Sequence, residues 1–137
     1  MNNLSLAIEN VTRSLAWNSP TTWIATLASL IFLGLGLRSL LDPAGSATLL
    51  GLPAPDVNGL AFVQVYGARN IGLSLLALIL IFLDIRAGLA ALFVAAAVIS
   101  GMDAWIVTTH AGVEHAIKHF AYFTGLMGFA LWLMFRS

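Results

Sequence analysis

Four stretches of this chain are long and apolar enough to cross a lipid bilayer, and no other feature narrows its fold as much. A hydrocarbon core of roughly 30 Å takes about 20 helical residues at about 1.5 Å of rise each. The stretches that meet this length run over residues 21–41, about 58–83, about 85–109 and about 113–135. Of the 137 residues 60% are hydrophobic and 9% charged, with a mean hydropathy of +0.95. That is more apolar surface than one small soluble domain could hide. The predicted fold class is therefore all-α, an integral membrane four-helix bundle forming a single domain over 1–137.

Local signals agree with these spans. Ser19-Pro20 offers a cap residue and then the proline favoured in a first helical turn, and Pro43 closes the first span. Only Asp84, Ile85 and Arg86 separate the second span from the third, which predicts an antiparallel hairpin, and His110-Ala111-Gly112 makes an equally short link to the fourth. The segment 43–56, PAGSATLLGLPAPD, carries three prolines and two glycines but keeps Leu49, Leu50 and Leu52. It reads as an ordered loop against the helix ends, with a re-entrant course open to it. Before the first span, Leu4, Ile8, Val11 and Leu15 recur at helical spacing opposite Asn3, Glu9, Asn10 and Arg13, with Trp17 following. This predicts a short amphipathic helix within 1–18 lying on the membrane surface.

The 6 basic and 6 acidic residues cancel, so no charged face steers the chain toward nucleic acid. With no cysteine, disulfides, iron–sulfur ligation and thiol catalysis are excluded. Residues 1–18 lack the pattern of a cleaved secretory signal, and the first span is expected to serve as its own insertion signal. Arg13, Arg86 and Arg136 fall on the side shared by the termini and the 2–3 turn, which predicts cytoplasmic termini in a cell membrane.

Threaded up and down, the spans collect their polar residues in the leaflet away from the termini. Arg38 ends the first span; Gln64, Tyr66, Arg69 and Asn70 lie in the far half of the second; Asp103 is near the end of the third; His115, Lys118 and His119 open the fourth. The near half contributes little more than Thr26, Ser29, Ser74 and Thr124. Arg69 lies on the order of 16 Å along its helix, close to mid-membrane. A charge there costs about 2.5–3.5 kcal/mol on insertion scales, so it should be paired or face the interior. Asp103 is the obvious counter-charge, and a bidentate pair completed by Asn70 and Tyr66 is one arrangement. Such a pair can floor a ligand pocket or simply clamp helix register.

His115 and His119 stand at i, i+4 and share a face with Tyr122, next to Glu114 and Lys118. Two histidines so spaced can chelate a metal, with Asp103 or His110 as a third ligand, but the zincin glutamate is missing and no metal is expected. A histidine acid/base oriented by Asp103, or a merely hydrated helix end, are the other readings. Arg38 either snorkels to the interface or closes the pocket from the first span, and Gly34-Leu35-Gly36 before it permits close helix approach. The alanine-rich third span suits tight packing. Phosphate loop, nucleophile elbow, dinucleotide glycines and paired haem histidines are all absent, so no cofactor is expected.

The Asp42-Pro43 step, Gly51-Leu52-Pro53, Tyr-Gly-Ala-Arg-Asn-Ile-Gly-Leu at 66–73, Gly-Met-Asp-Ala at 101–104 and the histidine of the fourth span resemble an uncharacterised family of small four-span membrane proteins, broadly similar to the DoxX-like group. The likeness covers roughly 22–135. Arg69, Asp103 and His119 match its polar positions, while Asn70 stands where an aspartate is expected, which weakens any proton relay through the second span. The resemblance implies the fold more than an activity.

Three functions follow as expectations. In the first, the chain binds a lipophilic small molecule and transforms it as an acid/base isomerase, cyclase or hydratase would, with Asp103, His119 and His115 moving protons and Arg69, Asn70, Tyr66, Arg38 and Tyr122 holding the ligand. In the second it is a structural or accessory subunit docking through the Gly34/Gly36 face. In the third it is a proton-coupled transporter or channel, which would need homo-oligomerisation because four helices barely enclose a pathway. The bare near half counts against the last.

Overall fold

The computed structural model describes residues 3–54 and 56–135, with the side chains of Ala7, Asn10 and Val11 outside that set. Asn10 and Val11 of the predicted amphipathic helix, Pro55 of the 43–56 segment and Arg136 of the charge asymmetry therefore lie outside the described side chains. Six helices follow one another: α1 Asn3–Thr12, α2 Pro20–Leu41, α3 Pro43–Leu50, α4 Val57–Phe82, α5 Arg86–Ala111 and α6 Val113–Phe135. The described residues contain no strand.

Three of them, α2, α4 and α5, are long and apolar enough to cross a membrane, with mean hydropathies of 1.9, 1.8 and 2.0 over an 18-residue stretch of each. The fourth long helix, α6, has 23 residues, but Glu114, His115, Lys118 and His119 in its opening turns dilute its apolar character. Large apolar side chains stand exposed on all four, including Trp23, Phe62, Trp105 and Leu131. A surface of this kind suits lipid rather than water.

The helix starts are where the cap residues put them. Ser19 Oγ accepts the Thr22 N–H at 3.2 Å, and Asp56 Oδ1 accepts the Gly59 N–H at 2.7 Å. The expected loop after the first span is instead largely helix. Asp42 caps it through the Gly45 N–H at 2.9 Å, Pro43 occupies its first turn, and Gly51, at φ 89°, ends it. A side chain at Gly51 would also press on His115 Cβ, 3.1 Å from the position its Cβ would take.

The long helices are arranged as two pairs. α2 packs chiefly on α4 and α5 chiefly on α6, whereas α4 and α5, although joined by a short hairpin, make little backbone contact. Backbones of the first pair nearly touch: a Cβ on Gly36 would lie 2.8 Å from Gly67 O, and one on Gly67 would lie 2.7 Å from Gly36 O. Of the expected Gly34/Gly36 face only Gly36 makes this approach, because Gly34 has nothing within 4 Å.

The packed core sits toward the end that carries α1, and its Ala77, Phe93 and Leu126 also line the cleft described below. It includes Leu15, Ala77, Ile81, Leu89, Phe93, Ala97, Ala130 and Leu133. Phe93 meets Phe129 edge-on at 4.9 Å. Arg86, expected as a loop cation, is buried there at 4% exposure and donates from Nε at 3.2 Å and from Nη2 at 2.9 Å to Leu133 O. The hairpin brings the arginine beneath the C-terminus of α6, whose last carbonyls have no helical partner. Asp84 accepts the Leu15 N–H and ties the chain after α1 to the same hairpin.

Candidate functional site

At the other end much of the predicted polar layer is occupied in closing helices. Gln64 Nε2 donates to Leu40 O at 3.3 Å, near the end of α2. Lys118 Nζ donates to Leu49 O, and His119 Nε2 to Leu50 O at 2.9 Å, so two consecutive residues of α6 satisfy the last carbonyls of α3. A ring nitrogen facing a carbonyl must carry a proton, which leaves Nδ1 of a neutral His119 as an acceptor.

Between the two helix pairs runs a cleft with about 60 Å³ of free space for water-sized occupants. At about 10–15 Å³ per water position this holds several. Its far part is bordered by Tyr66, Asn70, Ser100, Asp103, His119 and Tyr122, and its near part by Ala28, Ala77, Leu92, Phe93 and Leu126. A second, wider cleft of about 310 Å³ lies between α4, α5 and the Leu50–Ala54 segment, and Tyr66, Asp103 and His119 border both. Those three residues therefore form the partition between an inner and an outer space. Phe32 meets Tyr122 edge-on at 5.5 Å, and the His119 and Tyr122 rings lie 6.4 Å apart, walling the inner cleft on the α6 side.

Asn70 and Ser74, one turn apart on α4, are 7% and 3% exposed and both line the inner cleft. Ser74 Oγ makes no hydrogen bond, and Asn70 Nδ2 has none of good geometry, its polar neighbour being the Tyr66 hydroxyl a turn earlier. A buried polar group left unmade costs about 1–3 kcal/mol, so such groups ordinarily have a partner supplied from the space they face. Ser46 Oγ is unpartnered in the same way beside a smaller cavity against Lys118 and His119.

Arg69 Nη2 stands 3.6 Å from Asp103 Oδ2, so the pair expected between the second and third spans is present as a single contact rather than a bidentate fork. The guanidinium carbon lies 4.9 Å from the centre of the Tyr66 ring. The Arg69 side chain is 41% exposed and Asp103 23%, which puts the arginine on the outer face, bridging the gap between α4 and α5, while the carboxylate borders the clefts.

The remaining expected site residues lie apart. Arg38 is half exposed and 3.9 Å from Asp42. His115 is exposed, with Nδ1 3.5 Å from Glu114 Oε1, and neither it nor Arg38 borders the inner or the outer cleft. The i, i+4 spacing of His115 and His119 brings them near one face, but α3 takes one and leaves the other outside. His110 is occupied locally by Thr109 and Ile106 O. Among the described residues no three His, Cys, Asp or Glu side chains are grouped to hold a metal ion. Ser74 carried only one hint in the sequence, its i, i+4 spacing from Asn70.

No curated protein and no solved structure matches this chain. Residues 29–133, which include every residue lining the inner cleft except Ala28, match the family described as a domain of unknown function (DUF4267), and the chain belongs to that family.

Proposed function

We propose that the chain crosses the bilayer four times, with α1 on the membrane surface and the termini cytoplasmic, and that it holds a lipophilic small molecule in the cleft between its helix pairs. The likeness to the DoxX-like group belongs to the same reading. The observation that carries it is a pair of buried polar atoms without a good hydrogen bond, Asn70 Nδ2 and Ser74 Oγ, on residues that line an otherwise largely apolar space. Sparse contact between the pairs supports it too, because two well-packed halves can part around a chain without breaking either.

The test is mass spectrometry of the organic extract of the purified protein beside an Ala77→Leu variant, which fills the cleft from α4. The reading expects a lipophile in stoichiometric amount with the first protein and its loss from the second. An extract indistinguishable from bulk membrane lipid in both would refute it.

A catalytic version is favoured by one observation, that Asp103 and His119 border the same two clefts. A carboxylate and an imidazole on one space are what an acid/base isomerisation, cyclisation or hydration needs. Asp103→Asn would then abolish conversion of the bound molecule while leaving it bound.

A further inference from the structure

Resting on that reading, we infer that the inner cleft takes an uncharged molecule with a single acceptor head, such as a ketone, ester or amide carbonyl on a long hydrocarbon chain. Its head lies at Asn70 and Ser74, and its chain runs toward Phe93 and Leu126. The lining is divided end to end. Hydroxyl, amide, carboxylate and imidazole groups border one part, while Ala77, Leu92, Phe93 and Leu126 border the other, where the hydroxyl of Ser29 already donates to Ala25 O. A ligand with polarity at one end satisfies both parts, and one polar at both ends would leave a polar group among alanine and phenylalanine.

The head must accept a hydrogen bond. The Asn70 amide nitrogen carries two N–H groups, so one is left to donate even where the other turns toward Tyr66, and the Ser74 hydroxyl one turn away can donate to the same oxygen.

The charge of the head follows from which member of the ion pair borders the cleft. Asp103 does, and Arg69 does not. An anionic head would face a carboxylate whose counter-charge is on the outer side of α4. A cationic head would have to share that carboxylate with Arg69. A neutral carbonyl disturbs neither.

The experiment uses the full chain in nanodiscs of ether-linked phosphatidylcholine, which brings no carbonyl of its own. Three probes of equal chain length carry the same mid-chain diazirine: a methyl ketone, an alkylsulfonate and a plain hydrocarbon. Photolabelling is mapped by peptide mass spectrometry. The ketone is expected to label the α5 wall at Leu92, Phe93 and Ala96 about tenfold more than either other probe, the ratio one net hydrogen bond supports. Asn70→Leu should lower ketone labelling to the hydrocarbon level, and the wild-type comparison stands without any variant.

Sulfonate labelling equal to or above that of the ketone, or hydrocarbon labelling equal to it, overturns the head assignment while leaving the cleft a ligand site. Absence of cleft labelling by all three overturns both. Repeating the ketone arm in ester-linked lipid identifies the source of the head: a drop assigns it to the lipid's own ester carbonyl, no drop to a free lipophile, and each keeps the acceptor-headed assignment.

Discussion

At both ends of the long helices a side chain from one helix satisfies the last carbonyls of another, yet the two contacts differ in their surroundings. At the α1 end Arg86 is buried against Leu133 O, among helices whose Leu89, Ala90 and Leu133 are themselves buried. At the opposite end Lys118 and His119 reach Leu49 O and Leu50 O, and His119 borders both clefts. The first contact ties a helix end inside a packed core, where nothing else can approach. The second holds a short helix across the end of the bundle and presents an imidazole to open space. A polar residue deep in an apolar chain is therefore not by itself a site. What distinguishes the two ends is that His119 borders open space while Arg86 lies buried.

The comparison can be broken most directly at its closed end. Arg86→Met removes two charge-assisted hydrogen bonds at a buried position and should cost about 2–3 kcal/mol, read as a fall in the unfolding midpoint in detergent. Ligand retained per folded molecule should be unchanged. Ligand loss without loss of stability would place the site at the wrong end.

Next in size is the α2–α4 contact. Gly67→Val must push apart backbones already in contact and should cost about 2 kcal/mol, whereas Gly34→Val, facing open space, should cost nothing measurable in the same assay. Equal effects would mean that the two helices do not cross at Gly36.

At the open end, His119→Phe gives up the cap of α3 and should cost about 1 kcal/mol. It should also raise hydrogen exchange over residues 43–54 and alter ligand binding. Lys118→Met, at a more exposed cap, should raise exchange there and leave binding alone. Matching binding effects in the two variants would assign both residues to holding α3 and neither to the cleft.

The smallest effect is expected at Arg69. Its 3.6 Å contact with Asp103 is partly exposed, and Arg69→Met should change stability by about 1 kcal/mol or less. A loss several times larger would make the pair a register clamp.

Much of this architecture is written in short-range signals. Length and hydropathy mark the four long helices, Ser19-Pro20 marks the start of α2, and the Asp84–Arg86 hairpin makes α4 and α5 sequential neighbours. The α3 helix carried its own signals, Asp42 as cap, Pro43 in the first turn and Gly51 as stop, but the density of proline and glycine outweighed them and a loop was expected. Layering by depth brings Tyr66, Asn70, Asp103 and His119 to one region, helical spacing adds Tyr122, and the five border one cleft. Depth could not tell which of these were already spoken for. Whether Gln64, Lys118 and His119 face carbonyls, or Arg86 lies buried, depends on where a different helix ends, and helical spacing carries no record of that. The same holds for Ser74, whose importance comes from the lack of a partner.

The central claim, that the space between the helix pairs accepts a ligand while the packed core does not, has a direct test because the chain contains no cysteine. Ser74→Cys and Ala97→Cys replace residues that are both nearly inaccessible, but only Ser74 borders the cleft. Labelled with N-ethylmaleimide in membranes, the Ser74→Cys thiol should react and be protected by a long-chain methyl ketone, while the Ala97→Cys thiol stays unmodified. Equal labelling at both positions, or labelling at Ser74→Cys that the ketone does not slow, would contradict the account.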